Sequence, residues 1–243
     1  MYKALIWDIY GTLLLSPEGA IPPEADKNRI LTRGFEAWAG FISFHPSPDE
    51  DIRHYFELIQ EQHERKRRHQ GMVFPEIDIL LLWQDFFQRF YGMNIDKTRL
   101  IRGALLFEKA VNPVVPVTGM AALLSRISGK DIYMGLGSNS QFYTLEFLKE
   151  AYPGLFPDAF IPSLFALSYE IGAGKPDPLF YRTLAAKTAA LGLSPSEALF
   201  IGNDDVNDVR KPAEYGFSSL LFTPGSEGMG INTVGELADI LSL

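Results

Sequence analysis

The chain has 243 residues, of which 47% are hydrophobic and 21% charged, with a net charge of −8 and no cysteine. This balance belongs to a folded globular protein and excludes global disorder. The missing cysteine excludes disulfides, thiolate metal sites and cysteine nucleophiles. The acidic surplus argues against a general nucleic-acid surface, but a local pocket of cations can still receive a small anionic substrate. No apolar run approaches the roughly 18 residues of a membrane helix, so no membrane partner is expected. The N-terminus carries one Lys and a short apolar-rich run before Asp8, which does not read as a secretory signal. The expectation is a cytoplasmic protein, monomer or homodimer.

Residues 2–7 (YKALIW) form a short apolar run that stops at Asp8-Ile9-Tyr10-Gly11-Thr12. Such a run, bounded by Gly, predicts a strand buried on both faces. A Pro- and Gly-dotted stretch follows at 16–23. From about Asp26 to Phe107 the pattern predicts helices and no strand: Glu50–Gln70, Ile77–Tyr91 and Lys97–Val111. Trp38, Phe41, Phe44, Trp83, Phe86 and Phe87 give this block an aromatic core. Arg65 to Arg68 (RKRR) predicts a solvated helix face. Phe74-Pro75-Glu76 reads either as the first turn of a helix or as a loop that reaches a site.

Alternation of strand and helix resumes after Val114. Helices are predicted at Thr118–Ile127, Gln141–Glu150 and Pro178–Leu191. Strands are predicted at Asp131–Leu136, Ala159–Leu164, Ala198–Ile201 and Ser218–Phe222. That order implies parallel βαβ units, an α/β Rossmann-like core. The predicted core spans 1–15 and 112–243, interrupted by a helical insertion at 16–111.

Four polar clusters follow predicted strands or loops: Asp8 with Thr12, Ser138 with Asn139, Lys175, and Asn203-Asp204-Asp205 with Asp208. A parallel sheet would gather strand-end clusters at one edge. The set suits displacement at an electrophile that carries negative charge. A carboxylate attacks to form an ester, while Lys175 and Ser138 stabilise negative charge. The acidic patch offers the oxygen ligands that Mg²⁺ prefers.

With these residues the chain resembles the haloacid dehalogenase (HAD) superfamily, over about 1–15 and 112–225. Its motifs appear in order as WDIYGT, GLGSNS, Lys175 in GKPDPLFY, and FIGNDDVND. The resemblance implies a hydrolase with Asp8 as nucleophile and Ser138, Asn139 and Lys175 as binders of a phosphate or carboxylate. It also implies a helical cap that closes over the site and supplies specificity. Mg²⁺ would lie on Asp8, Asp204, Asp208 and the Tyr10 carbonyl, with Asn203 and Asp205 as further candidates.

One position departs from the phosphatases of the superfamily. Where they carry a second Asp as acid and base, this chain has Tyr10, and an ordinary Tyr is a poor base at neutral pH. The DxYGT form resembles L-2-haloacid dehalogenases, as does Tyr181 after Lys175. Those enzymes receive halide on a cap Arg, for which Arg29, Arg33 and Arg53 are candidates. The acidic loop points the other way, because Asp204 and Asp208 have the spacing of a phosphatase Mg²⁺ loop, although Asn203 stands where many members have Asp. The favoured expectation is a Mg²⁺-dependent phosphatase of a small phosphorylated metabolite. The alternatives are a haloacid dehalogenase and a degenerate HAD-fold binding protein.

Overall fold

A computed structural model describes residues 2–16, 24–226 and 230–242. Strand β1 (Ala4–Trp7) is fully buried, as its continuous apolar run requires. A short ribbon pairs β2 (Leu14–Leu15) with β3 (Val115–Pro116) in antiparallel register. Between them the chain forms α1 (Glu24–Phe41), α2 (Pro48–Gln70), α3 (Ile79–Tyr91) and α4 (Lys97–Val111). By internal contact the chain divides into two compact units: Met1–Leu15 with Val115–Leu243, and Ser16–Val114. Of the Pro- and Gly-dotted stretch, residues 17–23 lie outside those described.

In the first unit α5 (Met120–Ser128) precedes β4 (Tyr133–Ser138), and α6 (Thr144–Ala151) precedes β5 (Phe165–Leu167). Then come α7 (Ser168–Ile171), α8 (Pro178–Ala190), β6 (Ala198–Gly202), α9 (Lys211–Glu214), β7 (Ser218–Leu221) and α10 (Val234–Ile240). Among the described residues the main sheet has five strands in the order β5-β4-β1-β6-β7. Its pairings are all parallel. β1 is central, with Trp7 opposite Leu136 on one side and Ile201 on the other. The chain leaves β1 toward β4 and β5 in one direction and fills β6 and β7 in the other. The strand order therefore reverses beside β1, where open α/β sheets form a crevice at the carboxyl ends of their strands. Ala4 and Ile6 pack with Phe180, Leu184 and Phe200 in a dry cluster. Full burial of an Ile, Leu or Phe side chain contributes about 1.5–3 kcal/mol.

The predicted strand at 159–164 is corrected. Pro162–Leu164 forms a 3-10 turn, and β5 begins only at Phe165. Pro162 has no N–H for a sheet ladder but suits the first position of a helical turn. The ribbon of β2 and β3 was not expected, since two-residue strands leave no periodic pattern.

The helical unit is built around aromatic rings. Trp38, Trp83, Phe86 and Phe87 are each at most 1% exposed, and Phe44 is also buried. Trp38 meets Phe87 at 4.7 Å and Trp83 at 5.2 Å between ring centroids. Phe41 is only half-buried and lies under the Arg102 guanidinium, 5.1 Å from the ring centre. Helices α1 and α4 make the most extensive pairing of the unit. Gly103 permits this, because a Cβ there would collide with the Trp38 ring. Asp78 caps α3 by accepting from the Leu81 N–H at 3.0 Å, and Asp96 caps α4 through Arg99 at 3.0 Å.

Helix α2 carries Asp49, Glu50 and Asp51 in its first turn and Arg67, Arg68 and His69 in its last, before Gly71. That arrangement complements the helix dipole, which explains much of the basic cluster at 65–68. Phe74 to Glu76 precede Asp78 and do not form the first turn of α3. Pro75 is buried there, and Phe74 is 45% exposed.

Candidate active site

Asp8 is the first residue past β1, and its backbone N–H still donates to Ile201 of β6 at 2.8 Å. The turn that follows needs Gly11 at φ 81°, and a Cβ there would strike the side chain of Asn203. The Asp8 turn and the loop after β6 are therefore in close contact. Thr12 donates to Asp8 Oδ2, but at 3.4 Å that hydrogen bond is weak.

Lys175 comes from the loop before α8. Its Nζ donates to Asp8 Oδ1 at 2.8 Å, to Asp208 Oδ1 at 2.6 Å and to the Gly137 carbonyl at 3.1 Å. The three protons of the ammonium group are thus all engaged. The side chains of Lys175, Asp8 and Asp208 are 4%, 7% and 1% exposed. Burial alone would lower the Lys175 pKa. The charges and hydrogen bonds of Asp8 and Asp208 outweigh it and hold the pKa above the ordinary lysine value. Burial, and after it the Asp8 charge, push Asp208 up to about 6, against the pull of Lys175 and the Asp204 N–H.

The rest of the acidic loop is occupied in shaping itself. Asp204 Oδ1 accepts from the N–H groups of Val206 and Asn207, each at 2.8 Å, and Oδ2 accepts from Asn207 Nδ2 at 3.1 Å. It caps a short π-helix at Asp205–Arg210. Asp205 is exposed and ion-paired with Arg210. Asp208 Oδ2 accepts from the Asp204 N–H at 3.0 Å. Asp208, not Asp204, therefore joins Asp8 at Lys175. Tyr181 is buried and donates to the Asn207 carbonyl at 2.8 Å, so it supports this loop from below. Burial, with the nearby Asp208, raises its pKa well above the usual tyrosine value.

Ser138 ends β4 and is buried, and among the described residues its hydroxyl makes a long 3.5 Å hydrogen bond to the Asn139 carbonyl. The Asn139 side chain spans the backbone of Lys175: Oδ1 accepts its N–H at 2.6 Å and Nδ2 donates to its carbonyl at 3.0 Å. The hydroxyls of Tyr10 and buried Thr144, in the first turn of α6, share a 2.9 Å hydrogen bond. The partnerships of Tyr10 with Thr144 and of Ser140 with Ser168 could not be read in advance, since no spacing links those residues. Arg29, Arg33 and Arg53 are exposed on α1 and α2, and Arg53 pairs with Glu57 at 2.8 Å. Among the described residues no three Asp, Glu, His or Cys side chains cluster as a metal site.

These features define a class: a parallel α/β protein with a buried carboxylate–lysine–carboxylate group at the switch point of its sheet. The chain belongs to the haloacid dehalogenase-like hydrolases, whose sequence model matches residues 2–213. No curated protein matches it. Its solved structural neighbours are HAD proteins. A 2-haloacid dehalogenase from Pseudomonas syringae pv. tomato DC3000 aligns over 100% of this chain and 99% of its own, with 15% identity and a TM-score of 0.62. The HAD-hydrolase YfnB from Bacillus subtilis, bound to magnesium, aligns over 100% and 99%, with 17% identity and a TM-score of 0.56. A HAD-family enzyme from Bacteroides thetaiotaomicron, in complex with magnesium and inorganic phosphate, aligns over 94% and 98%, with 18% identity and a TM-score of 0.58. At such identities the likeness is one of fold. No described helix is long and apolar enough to cross a membrane.

Proposed function

We propose that this hydrolase is a Mg²⁺-dependent phosphatase of a small phosphorylated metabolite, with Asp8 as nucleophile. The observation that carries the reading is the charge of the buried group. Two carboxylates share one lysine, so the group holds one net negative charge in a dry environment. That charge would repel an anionic substrate unless a cation joined it. Mg²⁺ takes one or two carboxylates and otherwise prefers water and substrate oxygens. The candidate donors are Asp8, the side-chain amide of Asn203, which lies against the Gly11 turn, and the Tyr10 carbonyl. Asp204 and Asp205 are committed to the cap and to Arg210, and Asp208 to Lys175. This donor set is narrower than the motif spacing implied. When bound, the ion would neutralise charge on the phosphoryl oxygens.

Lys175 fixes Asp8 Oδ1, which leaves the loosely held Oδ2 to attack phosphorus. The phosphorus–oxygen ester bond breaks as an aspartyl phosphate forms, and the leaving alkoxide takes its proton from water. Water then hydrolyses the acyl phosphate, releasing inorganic phosphate and restoring Asp8. Ser138 receives a phosphoryl oxygen, and the positive charge of Lys175, held beside Asp8, offsets the negative charge of the phosphoryl group. In this reading residues 16–114 act as the cap.

A second reading, a 2-haloacid dehalogenase, draws on Tyr10. Its hydroxyl is bonded to Thr144, and a departing halide needs no proton. There Asp8 displaces halide from carbon 2, and hydrolysis of the ester gives a 2-hydroxy acid. A paired assay separates the readings. An aryl phosphate and a 2-chloro acid are each tested with Mg²⁺ and with chelator. Chelator-sensitive phosphate release supports the phosphatase. Chelator-insensitive chloride release without phosphate release replaces it with the dehalogenase.

A further inference from the structure

The loop that carries Ser138 is fastened from both sides by two-point side-chain pairings. On one side Asn139 binds both the N–H and the carbonyl of Lys175, at 2.6 and 3.0 Å. On the other the Ser168 hydroxyl accepts from the Ser140 N–H at 2.8 Å and donates to the Ser140 carbonyl at 3.1 Å. Ser168 is wholly buried and Ser140 nearly so. β4 and β5 pair as far as Ser138 and Leu167, so Ser168 carries the connection one step beyond the ladder. A third link joins the same loop to Lys175, where Nζ donates to the Gly137 carbonyl at 3.1 Å. The residues that precede and follow Ser138 are thus tied to Lys175 and to the end of β5.

We infer that Asn139 and Ser168 are positioning residues that hold Ser138 and Lys175 at one fixed separation. Asn139 acts through the Lys175 backbone and not on the substrate. The inference deepens the proposed function, because a fixed separation matters only if both groups address one substrate. A displacement of about 1 Å between groups that share a reacting centre can cost on the order of 10²-fold in rate.

The test combines amide hydrogen exchange with steady-state kinetics on whichever substrate the parent turns over. Thermal unfolding checks that each variant is folded. In Asn139→Ala the Lys175 amide should exchange faster, and kcat should fall about 10- to 100-fold with KM changed by less than about threefold. Asn139→Asp retains the acceptor for the Lys175 N–H and loses the donor, so its exchange and kcat should fall between those of the parent and Asn139→Ala. Ser168→Ala should release the Ser140 amide and lower kcat in the same way. A protected Lys175 amide in Asn139→Ala overturns the clamp whatever the substrate. A raised KM with kcat retained makes Asn139 a direct substrate contact and also overturns it. Faster exchange with unchanged kinetics reduces the pairing to a structural role and overturns the positioning claim. A parent inactive on both substrates, with the amide released in Asn139→Ala, sinks the proposed function and upholds the clamp.

Discussion

The two units of this protein differ in what they bury besides aliphatic side chains. The sheet unit buries charge: Asp8, Lys175 and Asp208 lie almost out of solvent, and each has a named partner within 2.8 Å. The helical unit buries rings, with Trp38, Trp83, Phe86 and Phe87 packed against one another edge to face, tilted and, for Trp83 with Phe87, stacked. Its charges lie mainly on the surface, as in the pair of Arg68 with Glu64. A ring cluster tolerates small shifts, whereas a buried ion triad is costly when a charge is left without any partner. The buried ionisable group thus lies wholly in the first unit.

The largest expected effect breaks the first side of that contrast. Asp8→Asn retains the shape of the side chain but cannot attack, so turnover should fall at least about 10³-fold with the fold intact. Residual activity above that level, with normal circular dichroism, would remove Asp8 from the reaction.

Next in size is a test of the ring cluster. Trp38→Ala removes a wholly buried ring that packs against Trp83, Phe87 and Gly103. A loss of about 3–5 kcal/mol is expected, the usual cost of a large-to-small core change. Denaturant unfolding should show the helical unit melting first, and a loss below about 1 kcal/mol would mean that the rings are not its core.

Tyr10→Asp sharpens the contrast from the chemical side. In a phosphatase that lacks its acid and base, the new carboxylate should raise aryl phosphate turnover, within the roughly 10²–10⁴-fold that such a group supplies. In a dehalogenase it should lower activity by repelling the acid anion beside Asp8. Reduced phosphate release, with chloride release measurable in the parent, would reverse the preferred reading.

The smallest effect is at a helix end. Asp78→Ala should cost about 1 kcal/mol in the helical unit, the typical worth of an N-cap, without changing the activity of the folded enzyme. A loss of activity in a fully folded variant would show that this cap does more than begin α3.

Much of the fold was legible because it is local. The run at 2–7, the alternation after Val114 and the helix at Lys97–Val111 follow from periodicity and capping residues, which neighbours in sequence decide. The boundary of β5 was misread, because the apolar residues of 159–164 have strand character and only Pro162 argues otherwise. Asp8 and Lys175 were recognisable from their motifs, although 167 positions separate them.

What the tertiary structure alone decided is which oxygen meets which proton. Five carboxylates stand in the motifs, and spacing made Asp204 and Asp208 equivalent candidates. The π-helix turned Asp204 onto its own backbone and Asp208 onto Lys175. It also assigned Asn139 to the Lys175 backbone and Tyr10 to Thr144. Composition, periodicity and motif order are properties of the chain and survive in the sequence. Hydrogen-bond partners across distant loops are set by strand order and register, which exist only once the sheet has assembled.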